Sequence, residues 1–246
     1  MSDFNVYNDK ERAKAYAELD FPGTYYLAYR DLPVLISNYV KGTKAMDFGC
    51  GTGRSTRFLK GLGFDVIGID VAVDMLEKAR ESDPEGMYLR VGADDFTQFE
   101  SGSMNLVLSA FTFDNVRTRD EKVKLLGEIN RLLSPEGSMI NLVSSPEIYL
   151  HEWASFSTKD FPENETARSG DEVRIIITET TDKRPVVDVV WSDEDYREVY
   201  DISGLKTVAE HRPLADGTEP YQWINETRIA PWVIYVLRSK GRQPIV

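Results

Sequence analysis

The chain is poor in the residues that most often carry chemistry. Its 246 residues include one cysteine, Cys50, and two histidines, His151 and His211. A single cysteine forms no intramolecular disulfide, which fits a reducing compartment, and the expected location is the cytoplasm. Two histidines and one cysteine scattered along the chain leave no cluster with zinc-ligand spacing, so no metal is expected. Long apolar runs are missing as well: none approaches the roughly 20 residues needed to cross a bilayer. The opening "MSDFNVYNDK" carries acids and no apolar run, unlike a secretion signal. Positive charge is scarce too. With 29 Lys and Arg against 41 Asp and Glu the net charge is −12, which argues against a nucleic-acid or anionic-membrane surface.

What is present is periodic. "NDKERAKAYAELD" (8–20) reads as a helix capped by Asn8, and "YYLAYRDLPVLISNYV" (25–40) as a second helical stretch bent or restarted at Pro33. From residue 44 short apolar strands alternate with amphipathic helices. The strands are "KAMDFG", "DVIGID", "MYLRVG", "NLVLSAF" and "SMINLVSS". The helix over 119–133 is expected to bury Val123, Leu126, Ile129 and Leu133, and "SPEG" to turn the chain into the fifth strand. Repeated βα units with aliphatic strands predict an α/β fold, doubly wound around a mostly parallel sheet covered on both faces. Residues 146–191 break the rhythm. They read as an insertion containing a hairpin, "EVRIIITET" and "PVVDVVW", because roughly 45 residues bury too little to fold alone. A capped helix (192–204) and two late strands close the domain, taken as a single one over 1–246.

The densest signal is "AMDFGCGTGRST", residues 45–56. Glycines between a first strand and first helix let backbone approach a ligand closely. A pyrophosphate site would want G-x-G-x-x-G. Here the glycines are Gly49, Gly51 and Gly53, and Asp47 at the strand end would repel phosphate but suit a cation. This D-x-G-x-G-x-G pattern resembles the first motif of the Rossmann-like (class I) S-adenosylmethionine-dependent methyltransferases. The likeness continues in order through "VIGID", "VDML", "GADDF", "GSMNLVLSAFTFDNV", "LLSPEGSMINLV" and "YREVYDISGL", covering roughly 42–145 and 192–240.

That resemblance implies a seven-stranded sheet with its last strand antiparallel, and S-adenosylmethionine as cofactor. It implies that Gly49, Cys50 and Gly51 pass under the methionine part, and that Asp70 takes both ribose hydroxyls, with Val71 and Met75 beside it. Asp94 or Asp95 would meet the adenine amine, and Ser109 and Ala110 would line the methionine moiety. Asp47 reads equally as an acid that organises the loop backbone. An N-terminal helical cap bearing Tyr25 and Arg30 would close the site, Arg30 on the methionine carboxylate; the plainer reading is core aromatics and a surface arginine.

Cys50 reads as a small residue that fits the loop rather than a nucleophile, which needs a lowered pKa and a nearby base. Methyl transfer from a sulfonium needs alignment and dryness more than acid–base help. If a base is used, His151 and Asp114 are the candidates, on loops at the carboxyl edge of the sheet; a solvated histidine and a capping aspartate are the plainer readings. His211, inside a late strand, reads as structural. Phe111, Phe113, Tyr149, Trp153, Tyr221 and Trp223 could wall an apolar acceptor pocket or fill the core of the insertion. The expected activity is methylation of O or N on a small-molecule acceptor, by a monomer or homodimer without nucleic-acid or membrane partners. Two other readings stand beside it, a non-catalytic cofactor-binding protein or assembly partner of the same fold, and a nicotinamide oxidoreductase.

Overall fold

A computed structural model describes residues 23–92 and 95–241. The helix read over 8–20 and Asp94 lie outside the described residues. Helices α1 (Thr24–Arg30) and α2 (Leu32–Tyr39) are separated at Asp31, with Pro33 in the first turn of α2, where its missing N–H costs nothing. Then come β1 (Lys44–Phe48), α3 (Arg54–Gly61), β2 (Asp65–Asp70), α4 (Val73–Ser82), β3 (Met87–Arg90) and β4 (Met104–Ala110). Helix α5 (Arg119–Leu132) and β5 (Leu133–Ser144) complete the parallel part. The insertion supplies β6 (Phe156–Ser157), β7 (Glu172–Ile177) and β8 (Val186–Val189), and α6 (Asp193–Ile202), β9 (Leu205–His211) and β10 (Trp232–Ser239) follow.

The main sheet has seven strands in the order β3-β2-β1-β4-β5-β10-β9, and β10 runs antiparallel to both its neighbours. This is the expected doubly wound architecture. Alternate residues of the central strands point to opposite faces, and both faces are buried. Ala45, Leu106, Leu108, Ile140 and Ile234 join α1, α2 and Leu59 on one side. Met46, Val107, Met139, Val143 and Val233 join α5 and α6 on the other. Burial on both sides is why these strands read as continuous aliphatic runs rather than as alternation.

Two details depart from the sequence reading. Helix α5 buries Lys122, Leu126, Ile129 and Leu132; Leu133 is buried as expected but already belongs to β5, and Val123 is only partly buried against the core. The centre of the stripe, Leu126 and Ile129, is as expected, and a lysine occupies its first position. The "SPEG" turn is instead an irregular start to β5, where the register against β4 shifts between Met104 and Leu106. A Cβ on Gly137 would lie 2.6 Å from the Met104 carbonyl, so the glycine lets the two backbones meet.

The insertion folds as its own antiparallel sheet, β6-β7-β8. The inward residues of β7, Val173, Ile175 and Ile177, join the core cluster that holds α1 and Trp232. Fully buried Glu226 ties the pieces together, accepting from Thr24 Oγ1 and the Ala154 amide, both at 2.7 Å. The insertion and α1 thus close over the carboxyl edge of the main sheet, where Ser144 of β5 pairs with Trp232 of β10.

Candidate functional site

The glycine loop sits at the carboxyl end of β1. Gly49, Gly51 and Gly53 all have positive φ, at 73°, 51° and 78°. Their surroundings separate their roles. A Cβ on Gly49 would fall 2.2 Å from Thr112 Oγ1, and one on Gly53 2.6 Å from the Tyr88 hydroxyl. Those two glycines are required by the protein's own packing. A Cβ on Gly51 would meet only Met75 Cε, at 3.9 Å. Gly51 alone of the three faces open space, as a loop presenting backbone to a ligand requires.

Asp70 closes the same loop. Its carboxylate accepts from the Gly51 amide and the Ala72 amide, each at 2.8 Å, so it joins the loop to the start of α4. Burial raises its pKa, and the backbone donors oppose that rise. Val71 is exposed beside it, and Met75 is buried under Gly51.

Asp47 is fully buried and accepts from Ser55 Oγ at 2.7 Å and Thr56 Oγ1 at 2.6 Å, both in the first turn of α3. It organises the loop from behind, and its Oδ1 has no hydrogen-bond partner. Burial pushes its pKa up to about 6. A folded-state pKa above the unfolded value means that ionising Asp47 opposes folding. Asp47→Asn should therefore stabilise the ligand-free protein by about 1–3 kcal/mol above pH 6. The gain should fade as pH falls toward about 4, where the wild-type carboxyl is protonated in both states. Denaturant unfolding against pH reads this directly.

The Cys50 thiol is buried against Leu76, Ala79 and Tyr88, and burial with the nearby Asp47 and Asp70 charges raises its pKa well above the ordinary thiol value. That is the opposite of an activated nucleophile.

Beyond β4 the backbone turns sharply at Phe111, the one non-glycine residue with positive φ among those described (63°). For a bulky side chain this conformation costs about 1–3 kcal/mol. It is held by the Phe111 amide on the Leu142 carbonyl at 2.8 Å and by ring contacts to Trp232 and Tyr25. The next residue, Thr112, donates to the Phe48 carbonyl beside the glycine loop at 2.9 Å. One short segment thus links the loop to a small recess, partly open to solvent.

The rings of Tyr25, Phe111, Phe156 and Trp232 form one side of that recess, and Ile175 and Ile177 of the insertion another. Its polar groups are Asp114, Asn115, Ser144, Tyr149 and Asp188. Asp114 accepts from the Ser144 amide at 3.1 Å, and burial pushes its pKa up to about 6. The Tyr149 hydroxyl donates to Asp188 at 3.1 Å.

Of the residues singled out from sequence, Tyr25, Phe111, Asp114 and Tyr149 meet at this recess, while the glycine loop, Asp70 and Met75 meet beside it. Others lie elsewhere. His151 does not line the recess; it is partly exposed, with Nε2 3.1 Å from Glu147. Arg30 spends its guanidinium on Asp31 and on Glu219, both at 2.7 Å, which fastens α1 to the loop before β10. His211 completes this group at 2.7 Å from Asp31. Ser109 is wholly buried mid-sheet between Phe48 and Asn141, and Ala110 packs partly buried against the α1 side of the core. Asp95 is exposed and accepts from Thr97 at 2.6 Å. Phe113 and Trp153 are core, and Tyr221 packs at a tilt against Tyr26 and Trp223 and does not line the recess.

Sequence reasoning missed Asp188, Phe156 and Trp232. Asp188 had a signal, an acid inside "VVDVV" on a strand that is otherwise apolar.

Comparison with known proteins agrees with this geometry. Residues 46–141 match the family described as "Methyltransferase domain". An uncharacterized methyltransferase of Oceanobacillus iheyensis is 29% identical over 120 residues, 47% of this chain and 54% of that protein. A demethylmenaquinone methyltransferase of Staphylococcus aureus is 37% identical over 110 residues, 43% of this chain and 44% of that protein. The chain thus spans about half the length of the curated relatives it matches. An S-adenosylmethionine-dependent methyltransferase from Clostridium acetobutylicum shares the fold, with a TM-score of 0.63 at 11% identity, over 96% of this chain and 100% of that one. Residues 46–141 thus resemble the methyltransferase domain, and the strand order is the fold that the chain shares with S-adenosylmethionine-dependent methyltransferases.

Proposed function

We propose that this protein transfers a methyl group from S-adenosylmethionine to O or N of a small acceptor held in the aromatic recess. The observation that carries the reading is Gly51, which presents backbone to open space beside Asp70. The residues fit that cofactor. Asp47 behind the loop disfavours a phosphate and favours a cation. Each Asp70 oxygen accepts one backbone amide and keeps acceptor capacity for a ribose hydroxyl.

When bound, S-adenosylmethionine supplies a methyl group activated by its sulfonium. The chain's own residues orient and dry the acceptor. Tyr25, Phe111 and Trp232 form an apolar wall, and α1 and the insertion narrow its access to bulk water. Asp114 is the candidate to hold a proton from the acceptor, since a buried carboxyl with a pKa of about 6 works as a base near neutrality. Asp114 replaces His151 in this role because His151 lies outside the recess.

Titration calorimetry with S-adenosylmethionine and with its demethylated product tests the reading. Both should bind, and Asp70→Asn should weaken them by about tenfold or more through loss of a charge-assisted acceptor. Thermal unfolding of the variant checks that the fold survives. If the purified protein binds neither ligand, the reading fails.

A further inference from the structure

Resting on the methyltransferase reading, we infer that Arg131 is a positioning residue for the cofactor, holding the segment that follows β3 where the base of the nucleoside must lie. Strand order sets that place. β3, β2 and β1 are parallel neighbours, and adjacent strands run about 4.8 Å apart. Gly51 follows β1 and Asp70 ends β2. Just past β3, the Val91 amide donates to the Asp70 carbonyl at 3.0 Å. With the ribose on Asp70 and the sulfur end over Gly51, the base leaves the ribose on the other side, toward β3.

Residues 95–103 form no helix or strand, so their backbone groups need partners elsewhere. Arg131, in the last turn of α5, supplies them. Its Nη1 donates to the Phe99 carbonyl and to Ser101 Oγ, and its Nη2 to the Phe96 carbonyl, each at 3.0 Å. Its own carbonyl accepts from the Gly102 amide at 2.9 Å. Nε donates to Glu128 at 2.9 Å, which aims the fork. A planar guanidinium reaches several acceptors at fixed angles, and a lysine ammonium on its flexible stem does not.

The anchored segment also packs on the root of the glycine loop. Phe96 and Phe99 are buried in the face of the core that α5 covers. The Phe96 ring stacks on Phe48 with centroids 6.0 Å apart, and Phe48 directly precedes Gly49. Two buried rings fix how deep the segment sits. The carbonyls of those same residues, clamped by Arg131, fix which way its chain turns. At its start Asp95 is exposed, accepts from Thr97 Oγ1 at 2.6 Å and keeps acceptor capacity for a donor on the edge of a base.

Calorimetry on the full chain with S-adenosylhomocysteine and S-inosylhomocysteine tests the role. The two ligands differ only at the edge of the base, where an exocyclic amino group becomes a carbonyl. Wild type should prefer the adenosyl form by about fivefold or more, the worth of one well-placed hydrogen bond. Arg131→Lys, which keeps the charge, should bind S-adenosylhomocysteine about tenfold more weakly and lose most of that preference. A plain loss of stability leaves the ratio of these two ligands unchanged, so the ratio separates positioning from structural support. A second measurement needs no variant: S-adenosylhomocysteine should slow amide hydrogen exchange over 95–102 of the wild type by about tenfold. No preference in wild type, an unchanged ratio in Arg131→Lys, or unchanged exchange over 95–102 overturns the inference. Wild type that binds neither ligand sinks the methyltransferase reading, and the role of Arg131 with it.

Discussion

Replacing Lys122 with methionine will destabilise the protein by about 1–3 kcal/mol, the cost of leaving the buried Phe113 carbonyl without the donor that Lys122 supplies. Lys122 has no exposed surface, although it lies on α5 among Leu126, Ile129 and Leu132. Its ammonium sits 4.8 Å from the Trp191 ring centroid and 5.2 Å from that of Tyr196. Burial lowers its pKa to about 7, and the attraction of Asp114 opposes that drop. Burial raises the Asp114 pKa to about 6, and Lys122 opposes that in turn.

The signs of the two groups differ. A lysine pKa depressed by folding means that the unfolded chain binds the extra proton between about pH 7 and 10, so wild-type stability gains with rising pH there. Methionine at 122 removes that gain. A carboxyl pKa raised by folding means that stability falls as pH rises from about 4 to 6, and without Lys122 this fall should deepen and extend upward. Urea unfolding of wild type and Lys122→Met across this range measures both limbs. Adding Asp114→Asn should recover part of the loss, since the buried Asp114 charge that Lys122 offsets is then gone. A single variant as stable as wild type at all pH values would show that the pair has no net role.

The glycine loop gives the second large effect. Gly49→Ala should cost about 2–5 kcal/mol, combining a left-handed backbone with a Cβ driven into Thr112. The nearest contact involves the whole Thr112 side chain, including its Cβ at 2.8 Å, so rotation alone gives no relief. Cofactor affinity should fall with it, because the loop must move. Gly51→Ala is the opposite case. Its backbone is also left-handed but its Cβ enters open space, so about 1–2 kcal/mol of stability is the whole structural cost. Binding of S-adenosylhomocysteine should nevertheless drop by about tenfold or more, as a methyl group intrudes where ligand meets backbone. Thermal unfolding and calorimetry on the two variants separate the effects. Gly51→Ala binding as tightly as wild type would mean that this glycine faces no ligand.

The glycine loop was readable in sequence because its requirement is local. A glycine forced into positive φ by a turn between strand and helix depends on neighbours a few residues away. Even so, the sequence pattern treats three glycines as equivalent, while only their distant contacts, Thr112 for Gly49 and Tyr88 for Gly53, reveal that Gly51 alone faces outward. Arg30 shows the reverse failure. Its helical position and aromatic neighbours suggested a ligand contact, but its partner Glu219 lies 189 residues further along the chain. No periodicity carries that information. Asp188 stands between these cases, since an acid in an apolar strand is visible in sequence but its destination is not.

Residue spacing alone carries the alternation of strands and helices, the doubly wound sheet and the loop at the end of its first strand. Each follows from residue spacing over a few turns and from the handedness of parallel connections. Long-range packing sets the rest: Asp114 and not His151 lines the recess, Arg30 is consumed in ion pairs, and the insertion supplies an acid and one wall of the recess. Those outcomes depend on which distant segments pack together, and packing is settled by burying apolar faces such as β7 and Trp232 against each other, whatever chemistry their polar neighbours then bring along.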